Sequence, residues 1–462
     1  MTPRLLAPLA LAALAVPTSA GADVGSSSLG DPYFPDAGNG GYDVSSYDLE
    51  LDYTPKKNRL RGTATIAATA TIGLDRFNLD LRRQLTVDSV TVNGAAAQSS
   101  QTGEQELEIT PAAPISSGAG FTVVVEYGGR PKPVTDADGT TEGWIRTGDG
   151  AFAPNEPQGS PTWYPCNDHP SDKALFAISL TVPKKLQAIS NGELDGREKS
   201  GNRRTWRWRE PQPMATYLAT AAIGRFEITR SDSGPAPSLY AIDPRFTRGR
   251  NAARKVRPLE RTPDITRFLA NRFGAYPFTT NGGIVDRVKN FPYALETQTR
   301  PLYTELPSNE LVVHETAHQW FGNSLTPATW SQIWLNEGFA TYAEFLWAEE
   351  RDDESAAKIF DLFYRTPAGD SEFWNPPPGN PGGPGELFDN TVYQRGAMTL
   401  QALREKVGDE TFFTIVRTWV AEQAYGSVTT DEFTALAERI SGQDLDRFFQ
   451  VWLFERGKPQ DW

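Results

Sequence analysis

The string His314-Glu315-Thr316-Ala317-His318 sets two imidazoles four residues apart with a carboxylate between them. On a helix, residues at that spacing share a face, so both rings can reach one ion. Glu315 projects to one side, close to the ion but not on it. This is the HExxH arrangement, in which the histidines bind Zn²⁺ and the glutamate is the general base. Only 3 of 462 residues are histidine, so a pair at this spacing is poorly explained as two unrelated core or surface residues. A catalytic zinc also needs a third protein ligand and an open position for water. Glu337, in Asn336-Glu337-Gly338 and nineteen positions after His318, is the candidate. One Zn²⁺ per chain is expected.

Two helices must position these groups. Pro307-Ser308 reads as a stop followed by an N-cap, and Glu310 in the first turn complements the helix dipole. Val313, Ala317, Trp320 and Phe321 follow the helical period and are expected to face a core. Gly322-Asn323 is the expected C-terminal stop. A second helical stretch from Trp330 to Arg351 carries Glu337, with Phe339, Ala343 and Leu346 as its core face. The two helices are expected side by side with the ion between them.

These residues resemble the gluzincin aminopeptidases of the aminopeptidase N type. The resemblance is carried by His314 to His318 and by Trp334-Leu335-Asn336-Glu337-Gly338-Phe339-Ala340 at the right distance. Gly274-Ala275-Tyr276-Pro277-Phe278 is similar to that family's entry into its catalytic domain. Tyr293-Ala294-Leu295-Glu296-Thr297 sits where the family has Gly-x-Met-Glu-Asn. Tyr393-Gln394-Arg395-Gly396-Ala397 is similar to its Tyr-x-Lys-Gly-Ala segment. Asn155-Glu156-Pro157, running on to Tyr164 through Ala174, is similar to an N-terminal signature. The motifs occur in the family's order, from about Tyr42 to the C-terminus.

The resemblance implies roles. Tyr393 would donate a phenol hydrogen bond to a developing oxyanion. Glu296 and Glu156 would pair with the substrate's free α-ammonium and so select the first peptide bond. Three departures bear on specificity: Tyr293 replaces Gly, Leu295 replaces Met and Thr297 replaces Asn, so substrate preference does not carry over. His169 stands in a loop where the family often has an acid, and it reads as structural, with weak zinc binding as the alternative. The implied form is a short two-domain one, lacking the C-terminal helical domain of larger members and leaving the cleft open.

Composition is that of a globular protein, with 39% hydrophobic and 22% charged residues. A net charge of −13 argues against nucleic-acid or anionic-membrane partners. Residues 1–22 read as a signal peptide: Arg4, an apolar run from Leu5 to Val16, and cleavage near Ala20 or Ala22. That run is short for a membrane span, so the chain is expected to be secreted, extracellular or periplasmic, with no membrane anchor and acting as a monomer. The single Cys166 forms no internal disulfide and reads as structural. Residues 23–41 read as a flexible lead rich in Gly, Ser, Asp and Pro. Residues 42–231 alternate in the strand period, for example Leu49 to Tyr53, Thr63 to Ile72 and Phe121 to Tyr127. Asp136 to Gly139 reads as a surface turn. Residues 232–462 are mainly helical in pattern, with Asn251 to Phe273 read as helix and Gly283 to Val288 as a candidate strand. Their later helices are expected near Met398–Lys406, Asp409–Gln423, Thr430–Ile440 and Leu445–Phe454, beyond a Pro/Gly loop at 376–385.

The expected fold is therefore α+β and multidomain. An all-β domain of sandwich or saddle form precedes a thermolysin-like, mainly helical zinc-peptidase domain. The expected function is zinc-dependent release of the first residue from peptides with a free amine. The alternative is an exported thermolysin-like zinc endopeptidase, which has no use for an amine anchor at Glu296 and Glu156.

Overall fold

The computed structural model describes residues 23–248, 252–288, 293–351 and 353–462. The expected signal segment lies outside the described residues. The N-terminal half is built on an eight-stranded sheet. Its centre is Tyr42–Thr54, flanked by Arg59–Ala70 in antiparallel and by Lys173–Pro183 in parallel register. Alternation explains its two faces: Leu49, Leu51 and Tyr53 are buried, while Asp48, Glu50 and Asp52 between them face solvent or nearly so. A four-stranded sheet containing Leu74–Asp80 and Glu106–Thr110 covers the dry face. Edge-to-face contacts of Phe77 with Tyr42 and Phe121 join the two layers. The result is the expected sandwich.

The segment read as a flexible lead is instead packed. Asp23–Val24 pairs in parallel with Leu74–Asp80, and Tyr33, Phe34 and Ala37 are buried. Asp31 explains the order. One carboxylate oxygen accepts from its own turn, at Tyr33 N and Phe34 N, and the other accepts from Trp330 N at 2.7 Å in the helical half. Tyr33 Oη donates to Asn380 and accepts from Gly382 N. Gly, Asp and Pro here encode turns rather than freedom, and two aromatic rings supply the apolar area that holds them down.

The second half contains a sheet whose first strand lies before residue 232, and the strand expected at 283–288 is found within it at Asn281–Val285. Glu227–Ser231 already pairs with Ser238–Ile242 in a five-stranded mixed sheet that continues through Asn281–Val285 and Leu302–Tyr303 to the edge strand Ala294–Leu295. Around it stand α1 (Thr262–Phe273), α2 (Asn309–Ala317), α3 (Trp334–Glu350) and α4 (Asn390–Val407). The helix α4 starts at Asn390, eight residues before the expected Met398, because Asp389 caps it through Thr391 N. At Gly338 and Gly396, α3 and α4 pack backbone to backbone. A Cβ on Gly396 would stand 2.9 Å from Gly338 Cα, and one on Gly338 would stand 3.0 Å from Gly396 C. Only glycine at both positions permits that approach.

Lys173 ties the halves together. Its ammonium, on the β sheet, donates to the carbonyls of Asn323 and Ser324 at 2.9 and 2.8 Å, in the turn after α2. Tyr217 Oη reaches Gly322 O in the same turn.

Candidate active site

Helix α2 begins as the sequence requires, with Ser308 Oγ accepting from Leu311 N. It ends at Ala317, ahead of the expected stop, and His318 is its cap residue. The chain then turns through Gly322, whose φ of +121° favours glycine and where a Cβ would stand a tight 3.3 Å from His318 Nδ1 and Asn336 Nδ2. This turn places His318 Nδ1 3.0 Å from Phe321 O. His314 Nδ1 meets Glu344 Oε1 at 2.8 Å. With both Nδ1 atoms engaged, both Nε2 atoms face Glu337 Oε2, at 3.2 Å from His314 and 3.4 Å from His318.

That triangle tests the fit to a metal. Ligands about 2.0–2.1 Å from a tetrahedral zinc lie roughly 3.3 Å from one another. The three ligand atoms are buried and within 4.8 Å of each other. Their type, two imidazoles and a carboxylate, is that of a catalytic zinc with one position free. The outer hydrogen bonds to Glu344 and Phe321 O orient the rings as metal-bound histidines require. The residues present fit zinc.

A cavity of about 270 Å³ opens over this set. Its walls bring together every residue expected from the sequence: His314, His318, Glu337, Glu315, Tyr393, Glu296 and Glu156. A larger depression of about 650 Å³ on the outer sheet face is lined by the exposed charges Glu50, Asp52 and Asp88. None of the candidate residues reaches it, so size alone does not locate the chemistry.

Each group arrives from a different element. Tyr393 sits in the first turn of α4, its ring stacked 5.9 Å from that of His314. The close crossing at Gly396, three residues on, brings that turn against α3. Glu296 follows the edge strand, and its carbonyl accepts from Gln319 at 3.1 Å and Asn323 at 2.7 Å. Glu156 comes from the β half, next to Asn155, whose side chain accepts from Trp163 Nε1 and donates to Ala219 O. Tyr293 lines the cavity beside Glu296, and its backbone is stitched to Thr304.

Burial dominates the site's electrostatics. It pushes Glu315 up to about 8, with His314 and His318 pulling the other way. Burial would also raise Glu337, but His318 and His314 outweigh it and hold the carboxyl down at about 2. Burial and then Glu296 and Glu337 push Glu156 well up. Burial and the carboxylates around it keep the Tyr393 phenol protonated.

Sequence reasoning missed three contributors. Glu344, which orients His314, lies seven residues after Glu337, two helical turns along the same face, and that spacing was a usable signal. Thr140 and Phe388 also line the cavity. Thr140 closes the turn at Asp136, where Asp138 accepts from its amide. His169 is buried with Nδ1 on Ser171 Oγ at 2.7 Å, and Cys166 is buried with its thiol pushed well up by burial. Neither faces the cavity.

A buried two-histidine, one-glutamate set with a further glutamate, Glu315, on the same cavity wall is of the zinc metallopeptidase type, on an α+β frame. Two family models match: the peptidase M1 N-terminal domain over residues 44–218 and the peptidase family M1 domain over residues 294–452. The M1 zinc metallopeptidase of Deinococcus radiodurans superposes with a TM-score of 0.83 at 30% identity, covering 94% of this chain and 99% of that one. A variant of it bound to a Tyr-Ser-Ala substrate matches with a TM-score of 0.84 at 29% identity and the same coverage. Aminopeptidase M1 of Arabidopsis thaliana is 27% identical over 333 residues, 66% of this chain and 36% of its own length. Glutamyl aminopeptidase of Bitis rhinoceros is 26% identical over 330 residues, 67% of this chain and 34% of its own length. The chain thus spans about a third of the length of those relatives. It belongs to the M1 family of zinc metallopeptidases.

Proposed function

We propose that the chain is a zinc-dependent aminopeptidase that hydrolyses the first peptide bond of peptides with a free N-terminal amine. One observation carries this reading. Glu156 and Glu296 place carboxylate oxygens within 4.8 Å of each other and of Glu337, so an anchor for a cationic amine adjoins the ligand set. His314, His318 and Glu337 would hold the ion. Bound there, zinc supplies Lewis acidity, acidifying water and polarising the scissile carbonyl.

The protein groups do the rest. Glu156 and Glu296 pair with the α-ammonium and fix the first peptide bond over Glu315. Glu315 takes a proton from the attacking water and delivers it to the leaving amine. One carboxylate can serve both transfers, as base to the water and then as acid to the amine, which are worth roughly 10²–10⁴ in rate. Tyr393 donates its hydroxyl proton to the oxygen that gains charge, a bond that strengthens in the transition state. Tyr293 and the walls at Thr140 and Phe388 bound the space for the first side chain.

The test is a short unblocked peptide against its N-acetylated twin, with products identified by mass. Cleavage of the unblocked peptide alone, at its first bond, is the expected result. Cleavage of the acetylated twin, or internal cleavage, would overturn the amine anchor. Among the described residues no helix is long and apolar enough to cross a membrane. The leader-like composition of residues 1–22 supports an exported enzyme, checked by N-terminal sequencing of secreted protein; light scattering tests the expected monomer.

A further inference from the structure

The cavity contains a second group of converging donors. Glu156, Glu296 and Glu337 each offer one oxygen within 4.8 Å of the others. Glu156 is 5% exposed and Glu296 is 2% exposed. Oε1 of each is buried without a hydrogen-bond partner, although both side chains line the cavity. Carboxyl groups held this close and this dry are relieved by uptake of protons or by a shared cation among them. The scaffold keeps them there: Gln319 and Asn323 grip Glu296 through its carbonyl, and Asn155 anchors the turn that carries Glu156.

The donor set differs in kind from the zinc set. It contains no imidazole and no thiolate, only carboxylate oxygen. Such a set suits hard cations such as Ca²⁺, Mg²⁺ or Mn²⁺.

We propose that Glu156, Glu296 and Glu337 form a second divalent-cation site, all oxygen in its donors, where a hard cation competes with the substrate's α-ammonium. The competition part rests on the amine-anchor reading above. Glu337 serves both sites, so an ion here feels the charge of the first and is held more weakly. Binding in the range of roughly 10⁻⁴–10⁻³ M, typical of weak oxygen sites, is expected. The cation would inhibit competitively with free-amine substrates, without displacing zinc.

Manganese is the probe, because zinc outranks it at nitrogen-containing sites. Zinc-loaded protein is titrated with Mn²⁺, and unbound Mn²⁺ is followed by its electron paramagnetic resonance signal. One Mn²⁺ per chain is expected, released by L-tryptophan but not by N-acetyl-L-tryptophan. Glu156→Gln should weaken it by more than the roughly 10–100-fold that losing an outer partner costs a metal site. Zinc content at one per chain certifies that the variant is folded. If that variant loses zinc, release by free amine from the wild type decides alone.

Mn²⁺ binding that is unchanged in Glu156→Gln overturns the site, and Mn²⁺ that Glu156→Gln weakens but the free amine does not release overturns the competition alone. Unchanged binding would place the ion elsewhere, for example at the exposed Glu438, Asp444 and Asp446 cluster. The two readings fail separately. Loss of discrimination against acetylated peptide with Mn²⁺ retained sinks the cation site and keeps the amine anchor. Loss of Mn²⁺ with discrimination retained does the reverse.

Discussion

Replacing Glu344 by Ala should loosen the metal without touching a ligand. Glu344 Oε1 lies 2.8 Å from His314 Nδ1. That bond fixes which imidazole nitrogen carries the proton and leaves Nε2 free to coordinate. Outer partners of this kind are worth roughly 10–100-fold in metal affinity, which is about 1.4–2.7 kcal/mol. The Glu344 side chain is 31% exposed, so solvent screens its charge and water can take its place at Nδ1. The lower end follows: about tenfold, or about 1.4 kcal/mol. Competition for zinc against a chromophoric chelator measures it directly. At saturating zinc, kcat should change little, because no group that faces substrate is altered. Glu344→Gln keeps an acceptor oxygen and should lose less than the Ala variant. A zinc affinity for Glu344→Ala within twofold of wild type would refute the orientation argument. A Gln variant as weak as the Ala variant would assign the effect to charge.

Glu315→Gln should retain one zinc and lose roughly 10²–10⁴ in kcat; a zinc-loaded variant with near-normal turnover would remove Glu315 from its role. Arg395, fully buried, donates to the carbonyls of Trp374, Val451, Trp452 and Glu455. Arg395→Met strands four acceptors and should cost about 3–5 kcal/mol by denaturant unfolding, whereas a loss below about 1 kcal/mol would contradict that accounting. Asp168 is pushed up to about 8 by burial and by Asp80. Its folded pKa exceeds the unfolded value near 3.9, so the folded state holds the proton more tightly. That stabilising contribution is full below about pH 4 and is lost as pH rises through 8. Asp168→Asn should flatten the fall of Tm between pH 5 and 8, and an unchanged slope would count against it.

The zinc ligands were readable because their geometry is local. A four-residue spacing on a helix fixes two side-chain directions whatever surrounds it. Ser308 before α2 and the alternation of Leu49, Leu51 and Tyr53 are read from neighbours in the same way. Misreadings began where packing outranks local pattern. Residues 23–41 have the composition of a loose segment, yet Asp31 and Tyr33 find partners in the other half of the chain. The start of α4 was hidden by the Pro/Gly run before it, although Asp389 was available as a cap.

The sequence by itself determined the candidate chemistry: two imidazoles and a carboxylate spaced to hold zinc, a further glutamate between the histidines, and two helices to carry them. Helical periodicity and side-chain chemistry are properties of short stretches, so short stretches suffice to state them. Only the tertiary structure decided what surrounds that chemistry. It set Glu156 from the β sandwich beside Glu296 from a sheet edge, turned Glu344 onto His314, and pressed α4 onto α3 at Gly396 and Gly338 so that Tyr393 faces the ligands. Those contacts join residues far apart in the chain. They exist because whole faces of helix and sheet must bury their apolar area together, and no local spacing encodes that result.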